Sequence, residues 1–347
     1  MSTDKNPTKL ELHVIVFAGP NGSGKTSLID EIKVSGLKTV GGVYPLPVRF
    51  INPDQVSKDL QGDFVDQNAR DWAAARAAVQ MRAEATTSQQ PFAFETVMSH
   101  PSRINELLML KEEGYKVLLT FITTDDPEKN VARVNLRYET GSTTGHYVPS
   151  EKVRERYSRT LALLPRAAEI ADAVFIYDNS ADFEKARLQV VIEKDAQFSI
   201  ASDPKEWVYQ QLINPLQQRD NEFNDMTALL AERGYALGET DELRGTYQGS
   251  VLHVSTYFLA QFDTVLQQAV IHDRLMLDTA QDVLPIYTEK KNLTIRYSLR
   301  DAPVVKERLT ISLSVDILTQ FRATGDDWQT RMDAALRDWL KDHALTH

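Results

Sequence analysis

The chain is 347 residues long, which at roughly 100–200 residues per domain makes room for two or three domains with cores of their own. Hydrophobic residues at 42% and charged residues at 25% exclude wholesale disorder, and a net charge of −10 (39 basic against 49 acidic) excludes a global basic field for nucleic acid or an anionic membrane. Cysteine is absent, which excludes disulfides, zinc–cysteine sites and thiol chemistry.

The opening MSTDKNPTKLEL has no charged stretch followed by an apolar one, and no apolar run reaches spanning length; a cytoplasmic setting without a membrane partner is expected. Strand-like apolar runs at 12–18, 49–52, 92–96, 116–123 and 173–177 alternate with helical patterns at 67–85, 103–113 and 151–164. That alternation predicts an α/β domain with a largely parallel sheet. One more strand is expected over 189–200, and a helix leaving the domain over 204–218. The polar run QQRDNEFND then leads into a short helix, and short β runs over 245–297 predict a small antiparallel barrel or sheet. From Arg308 the pattern is one alternating strand and two short helices. The expected domains are 1–218, 219–302 and 303–347.

GPNGSGKT spans Gly19, Pro20, Asn21, Gly22, Ser23, Gly24, Lys25 and Thr26, between a β-type run and a helical one. This is a phosphate-binding loop in its required strand–loop–helix context. Its glycines let backbone N–H groups turn inward on phosphates, Lys25 reaches the β/γ-phosphates and the Thr26 hydroxyl holds Mg²⁺. ATP and Mg²⁺ are therefore the expected cofactors, and the lack of Asn-Lys-x-Asp argues against a GTPase. The end of the late strand, Asp178, reads as core structure.

FINPD places Asp54 just past a strand end, where ligands bind in open α/β sheets. A carboxylate there suits a general base for an attacking hydroxyl and equally a helix N-cap. FAFETVMS puts Glu95 at another strand end, suited to an acceptor hydroxyl or metal-bound water; its alternative is a solvated strand end. Residues 133–159 carry Arg133, Arg137, Arg154, Arg156 and Arg159 with His146 among them, a pattern for a lid closing on the γ-phosphate. Any one of these arginines alone reads as a surface ion pair.

GPNGSGKT, FINPD, FAFETVMS, RYETGSTTGHYVP and RERYSR together resemble the zeta-toxin family of P-loop kinases over about residues 10–200. The resemblance implies ATP-dependent phosphorylation of a small hydroxyl compound. In the toxin branch that acceptor is UDP-N-acetylglucosamine. It also implies Lys25, Asp54, Arg137 and Arg156 as catalytic residues, with Glu95, Ser99 and His146 on the substrate side. Ser99 and His146 stand where the toxin branch tends to have arginines, a departure that bears on the sugar-nucleotide acceptor. GTYQGSVLHVSTYFLAQFD and the β runs after it are similar to KfrB-type domains of plasmid-associated proteins, and His272–Asp273 within them reads as structural.

In residues 307–340, Leu309, Ile311, Leu313 and Val315 alternate with polar residues, and Trp328, Met332, Leu336 and Trp339 form a stripe at helical spacing expected to be core. The segment resembles the ribbon-helix-helix fold of BrnA-type antitoxins, which implies a homodimer through strand pairing and operator DNA read by the polar strand face. Six basic and seven acidic residues over 306–347 leave little charge for phosphate contacts. Two further readings stand beside the kinase: a plasmid-associated DNA-binding regulator using ATP as a conformational ligand, and a non-toxic nucleoside or sugar kinase.

Overall fold

The computed structural model describes residues 12–140, 148–194, 196–278, 287–307 and 313–343. Two compact units succeed each other, residues 1–306 and 307–347.

The first unit opens with β1 (His13–Ala18), buried at every position as a strand covered on both faces must be. Next come α1 (Lys25–Ser35) and a hairpin absent from the sequence reading, β2 (Leu37–Thr39) with β3 (Gly42–Tyr44). β4 (Phe50–Ile51), α2 (Pro53–Asp59), α3 (Gln67–Thr87), β5 (Phe92–Thr96), α4 (Ser102–Glu112), β6 (Lys116–Thr123), α5 (Pro127–Glu139), α6 (Ser150–Ile170) and β7 (Ala173–Asp178) continue the alternation. The strands lie in the order β4-β5-β1-β6-β7, all parallel. An antiparallel pair, β8 (Arg187–Glu193) and β9 (Gln197–Ile200), extends the sheet beyond β7. The single strand expected over 189–200 is thus two: the polar residues after Ile192 favour a turn, and Ala196 N–H donates to Glu193 O at 3.1 Å.

Helix starts follow local chemistry. Asn52, Asp66 and Asp126 cap α2, α3 and α5, and Pro occupies the first turn of α2 and α5. α6 runs through Pro165, where a stop was expected, because Leu163, Leu164, Ala167 and Ala168 bury against the core and outweigh the lost hydrogen bond. The helix expected to end at 218 also continues. α7 (Glu206–Val208), a π-helical turn (Tyr209–Ile213) and α8 (Asn214–Glu232) succeed each other without a break. Most of the polar run is exposed along α8, while Arg219 from within it joins Met226 and Leu230 among the buried residues. Asp178 accepts from Ser180 Oγ at 2.6 Å and Trp207 Nε1 at 2.8 Å, a core role.

A five-stranded sheet follows, built from β10 (Thr246–Val254), β11 (Phe258–Asp263), β12 (Gln268–Asp273), β13 (Asn292–Arg296) and β14 (Val304–Glu307), with α9 (Arg274–Asp278) after β12. Its order is β12-β11-β10-β13-β14, an open sheet rather than a barrel. The outer edge of β12 is occupied by residues 236–238, which exchange backbone hydrogen bonds with Ala269 at 2.8 and 2.9 Å, so β14 does not close onto it.

His272 lies wholly buried in this sheet, with Nδ1 3.0 Å from the Tyr297 hydroxyl and Nε2 3.1 Å from Gln261 Oε1. Burial drives its pKa from 6.5 down to about 3. Between those values the unfolded chain binds a proton that the folded one refuses, so stability falls with falling pH by about 1.4 kcal/mol per unit. Urea unfolding at pH 7 and pH 5 should show that His272→Gln loses about 2 kcal/mol less than the parent over this interval; equal losses would refute the assignment.

The second unit holds α10 (Val315–Arg322) and α11 (Trp328–Asp342). Of the expected ribbon, residues 308–312 lie outside the described residues. Val315 is the first residue of α10 rather than the last of a strand, since Ser314 takes the N-cap position and Asp316 the first turn. Of the stripe expected as core, Trp328 and Met332 are half-buried, whereas Leu336 is 56% and Trp339 54% exposed.

Candidate active site

At the C-terminal ends of β1, β4 and β5 opens a cavity of about 430 Å³. Its floor is the loop between β1 and α1. Gly19, Gly22 and Gly24 have φ of 152°, 78° and 98°, and a Cβ at any of them would come within 2.1–2.5 Å of Ile122 O, Asn130 O or Asn179 Nδ2. Two asparagines brace the loop from β7 and α5: Asn179 Nδ2 donates to Ser23 O at 2.9 Å and Asn130 Nδ2 to Asn21 O at 2.7 Å. The Lys25 ammonium is buried and donates to Gly19 O (2.8 Å) and Pro20 O (2.9 Å). Thr26, Asn21, Gly22 and Gly24 line the cavity, whereas Ser23 Oγ is buried without a hydrogen-bond partner. A glycine-shaped cradle, an orphaned hydroxyl and a buried ammonium fit a nucleotide's phosphates, and Thr26 at the start of α1 fits a magnesium ligand.

The opposite wall comes from β4–α2 and β5. Asn52 caps α2 by accepting from Asp54 N–H at 2.8 Å, so Asp54 is released from capping and its residue lines the cavity. The same Asn52 donates through Nδ2 to Glu95 Oε2 at 2.8 Å, and Glu95 Oε1 lies 3.7 Å from Lys25 Nζ. Glu95 is therefore no solvated strand end. Burial raises its pKa, opposed by Lys25; burial lowers that of Lys25, opposed by Glu95 and Asp54. Lys25, Glu95, Asp54 and Arg137 act on one another electrostatically and form a single charge centre.

Two of the five arginines of residues 133–159 line the cavity, Arg137 from α5 and Arg156 from α6. Arg156 NH1 lies 3.4 Å from Asn21 Oδ1. The other three are engaged elsewhere. Arg133 binds Asn179 O (2.8 Å) and Asp182 (3.2 Å), Arg154 meets Glu128 in a two-pronged contact (2.6 and 2.9 Å), and Arg159 pairs with Glu155 (2.7 Å). Ser99 lines the cavity; His146 lies outside the described residues. The sequence reading missed Asn52, Asp71, His100 and Arg103, which also line it, and the bracing Asn130 and Asn179. Only the two strand-end positions, Asn52 in FINPD and Asn179 after Asp178, carried a local signal.

Fold and site define a P-loop α/β protein of the nucleotide-binding class. The zeta toxin family model matches residues 1–184, more than half of the chain, and the chain belongs to the zeta toxin family. A second match, to the BrnA antitoxin of type II toxin-antitoxin systems, covers residues 263–340 and so begins within the five-stranded sheet. An N-terminal zeta-toxin-like domain is thus followed in one chain by a BrnA-type antitoxin-like segment. An uncharacterized protein of Haemophilus influenzae is 29% identical over 150 residues, 41% of this chain and 91% of that protein. Among solved structures, AvrRxo1-ORF1:AvrRxo1-ORF2 with sulphate ions is similar at TM-score 0.43 and 15% identity, over 57% of this chain and 62% of that one. The same pair with ATP gives 0.42 and 15%, over 54% and 60%. The PezAT chromosomal toxin-antitoxin system of Streptococcus pneumoniae gives 0.38 and 14%, over 63% and 90%. The chain spans less than two thirds of the first two. No described helix is long and apolar enough to cross a membrane.

Proposed function

We propose that the chain is an ATP–Mg²⁺-dependent small-molecule kinase of the zeta-toxin type, acting on a hydroxyl of a nucleotide sugar such as UDP-N-acetylglucosamine and held within a toxin–antitoxin fusion. The observation that carries this reading is the facing of Lys25 and Thr26 by Asp54 and Glu95 across one cavity that Arg137 and Arg156 also line. Lys25 and the loop amides hold the β/γ-phosphates, and Asp54 accepts the proton of the attacking hydroxyl. Glu95, fixed by Asn52, orients that hydroxyl, while Arg137 and Arg156 offset charge on the transferring group. Thr26 would hold Mg²⁺, which would supply further neutralisation of phosphate charge.

The test is mass spectrometry of ATP–Mg²⁺ reactions with UDP-sugars, nucleosides and dinucleotides, with Lys25→Ala as blank. One added phosphate on UDP-N-acetylglucosamine, absent from the blank, is the expected result; ATP binding without any phosphorylated product would overturn the kinase.

For the second unit we propose a homodimer joined through α10 and α11, with the five-stranded sheet as the KfrB-like module between. Val315, Ile317, Leu336, Trp339 and Leu340 are 44–79% exposed, apolar surface a second copy would cover. Sedimentation velocity should give a dimer for the full chain and a monomer once residues 307–347 are removed. A monomeric full chain would refute this.

A further inference from the structure

Part of the cavity wall carries a further guanidinium, Arg103, outside the cluster of Lys25, Asp54, Glu95 and Arg137. At the end of β5, Met98 is buried and adopts φ of +57°, a conformation that non-glycine residues take only when their surroundings enforce it. Thr96 Oγ1 accepts from Met98 N–H at 3.1 Å, and Thr160 of α6 donates to Val97 O at 2.9 Å. This forced turn brings Ser99 and His100 to the cavity, where Arg103 joins them from the first turn of α4.

Beneath Arg103, Arg82 is 5% exposed, lies over the Phe94 ring at 5.0 Å and pairs through Nε with Glu106 Oε1. The other oxygen of Glu106 accepts from Arg103 NH1 at 2.8 Å. One carboxylate thus serves two guanidiniums, and the remaining N–H donors of Arg103 have no protein acceptor among the described residues. Burial and the neighbouring Arg82 both act against the Arg103 charge, as expected of an under-neutralised cation. His100 Nδ1 accepts from Ser102 N–H at 3.2 Å, which leaves Nε2 as a neutral donor. Glu106 is the carboxylate that pairs with Arg103, whereas Glu95 pairs with Lys25.

We propose that Arg103, with His100 and Ser99, is an oxyanion subsite for the acceptor. Resting on the kinase reading above, the inference defines the acceptor as a hydroxyl compound carrying a phosphate or carboxylate, whose anionic end docks on Arg103 while its hydroxyl reaches Asp54. A built-in opponent sits beside it. Asn105 of α4 donates to Ser298 O (2.8 Å) and Asp301 O (3.0 Å), anchoring the segment after β13, and the exposed Asp301 carboxylate acts on His100.

The test uses the full chain with its nucleotide site saturated by a non-hydrolysable ATP analogue and Mg²⁺, titrated calorimetrically with inorganic phosphate and, separately, with acetate. Binding of one ion is expected, and its identity distinguishes a phosphorylated acceptor from a carboxylate one. Arg103→Gln should weaken that binding about tenfold, Arg103→Lys should restore part of it, and Asp301→Asn should tighten it about threefold. Should Arg103→Gln fail to fold, the exposed Asp301→Asn still decides. Neither ion binding, or affinity indifferent to these substitutions, would overturn the subsite. The titration needs no turnover, so anion binding at Arg103 without phosphoryl transfer would sink the kinase and leave the subsite standing.

Discussion

Asp54→Asn should lower phosphoryl transfer by about 10²–10⁴-fold while leaving ATP bound, the size of effect expected when a positioned general base is removed. The substitution keeps the volume of the side chain and the start of α2. The cap of that helix is Asn52 rather than Asp54, so little stability is at stake. This separates two readings that the sequence left equal, a catalytic carboxylate and a helix cap. It also separates the kinase from a regulator using ATP as a conformational ligand, for which Asp54→Asn would change neither ATP binding nor any rate. Initial rates of phosphate incorporation, read beside nucleotide affinity by calorimetry, supply both quantities. A loss confined to ATP affinity, with the rate at saturation intact, would remove Asp54 from the chemistry.

What the sequence made legible followed from local rules. The loop from Gly19 to Thr26 could be read because its glycines answer a backbone demand that few other functions make. The parallel strands could be read because strands buried on both faces have almost no polar residues. Where the reading failed, a long-range contact outweighed a local signal. Pro165 predicts a helix end, but the buried residues on either side of it carry α6 onward. The polar run at 217–225 predicts a break, but most of it is exposed surface of α8, and only the partners of Arg219 reveal that this one residue of the run faces inward. Glu95 reads as solvated until Asn52 and Lys25, distant in sequence, are seen to enclose it. Of the arginines expected in the lid, composition alone could not tell Arg137 and Arg156 from Arg133 and Arg154, whose acceptors lie on neighbouring elements, or from Arg159, which pairs along its own helix with Glu155.

Arg219→Met should destabilise the first unit by about 3–5 kcal/mol, the range for breaking a buried ion pair from one side. The Arg219 side chain is 1% exposed. It donates to both oxygens of Glu169 (2.6 and 2.8 Å) and to Asp273 Oδ2 (2.6 Å), with its guanidinium over the rings of Tyr257 and Phe258 at 5.4 and 5.1 Å. Methionine retains the packing but leaves Asp273, 3% exposed, to the Leu275 N–H at 2.8 Å and to Arg166, 3.3 Å away. Arg166 is already shared with Glu169 (3.1 Å) and Glu242 (2.8 Å), and burial raises the pKa of Glu242, opposed by Arg166. Urea unfolding measures the cost, and adding Asp273→Asn to Arg219→Met should return part of it, because the orphaned charge goes too. A single-variant loss below about 1 kcal/mol would show that the network is solvated rather than buried. The consequence reaches the active site through α6: Arg166 and Glu169 at one end bind α8 and the five-stranded sheet, while Arg156 and Thr160 at the other face the nucleotide loop and the turn at Val97. Amide exchange along α6 should therefore quicken in Arg219→Met, linking the sheet to the helix that presents Arg156.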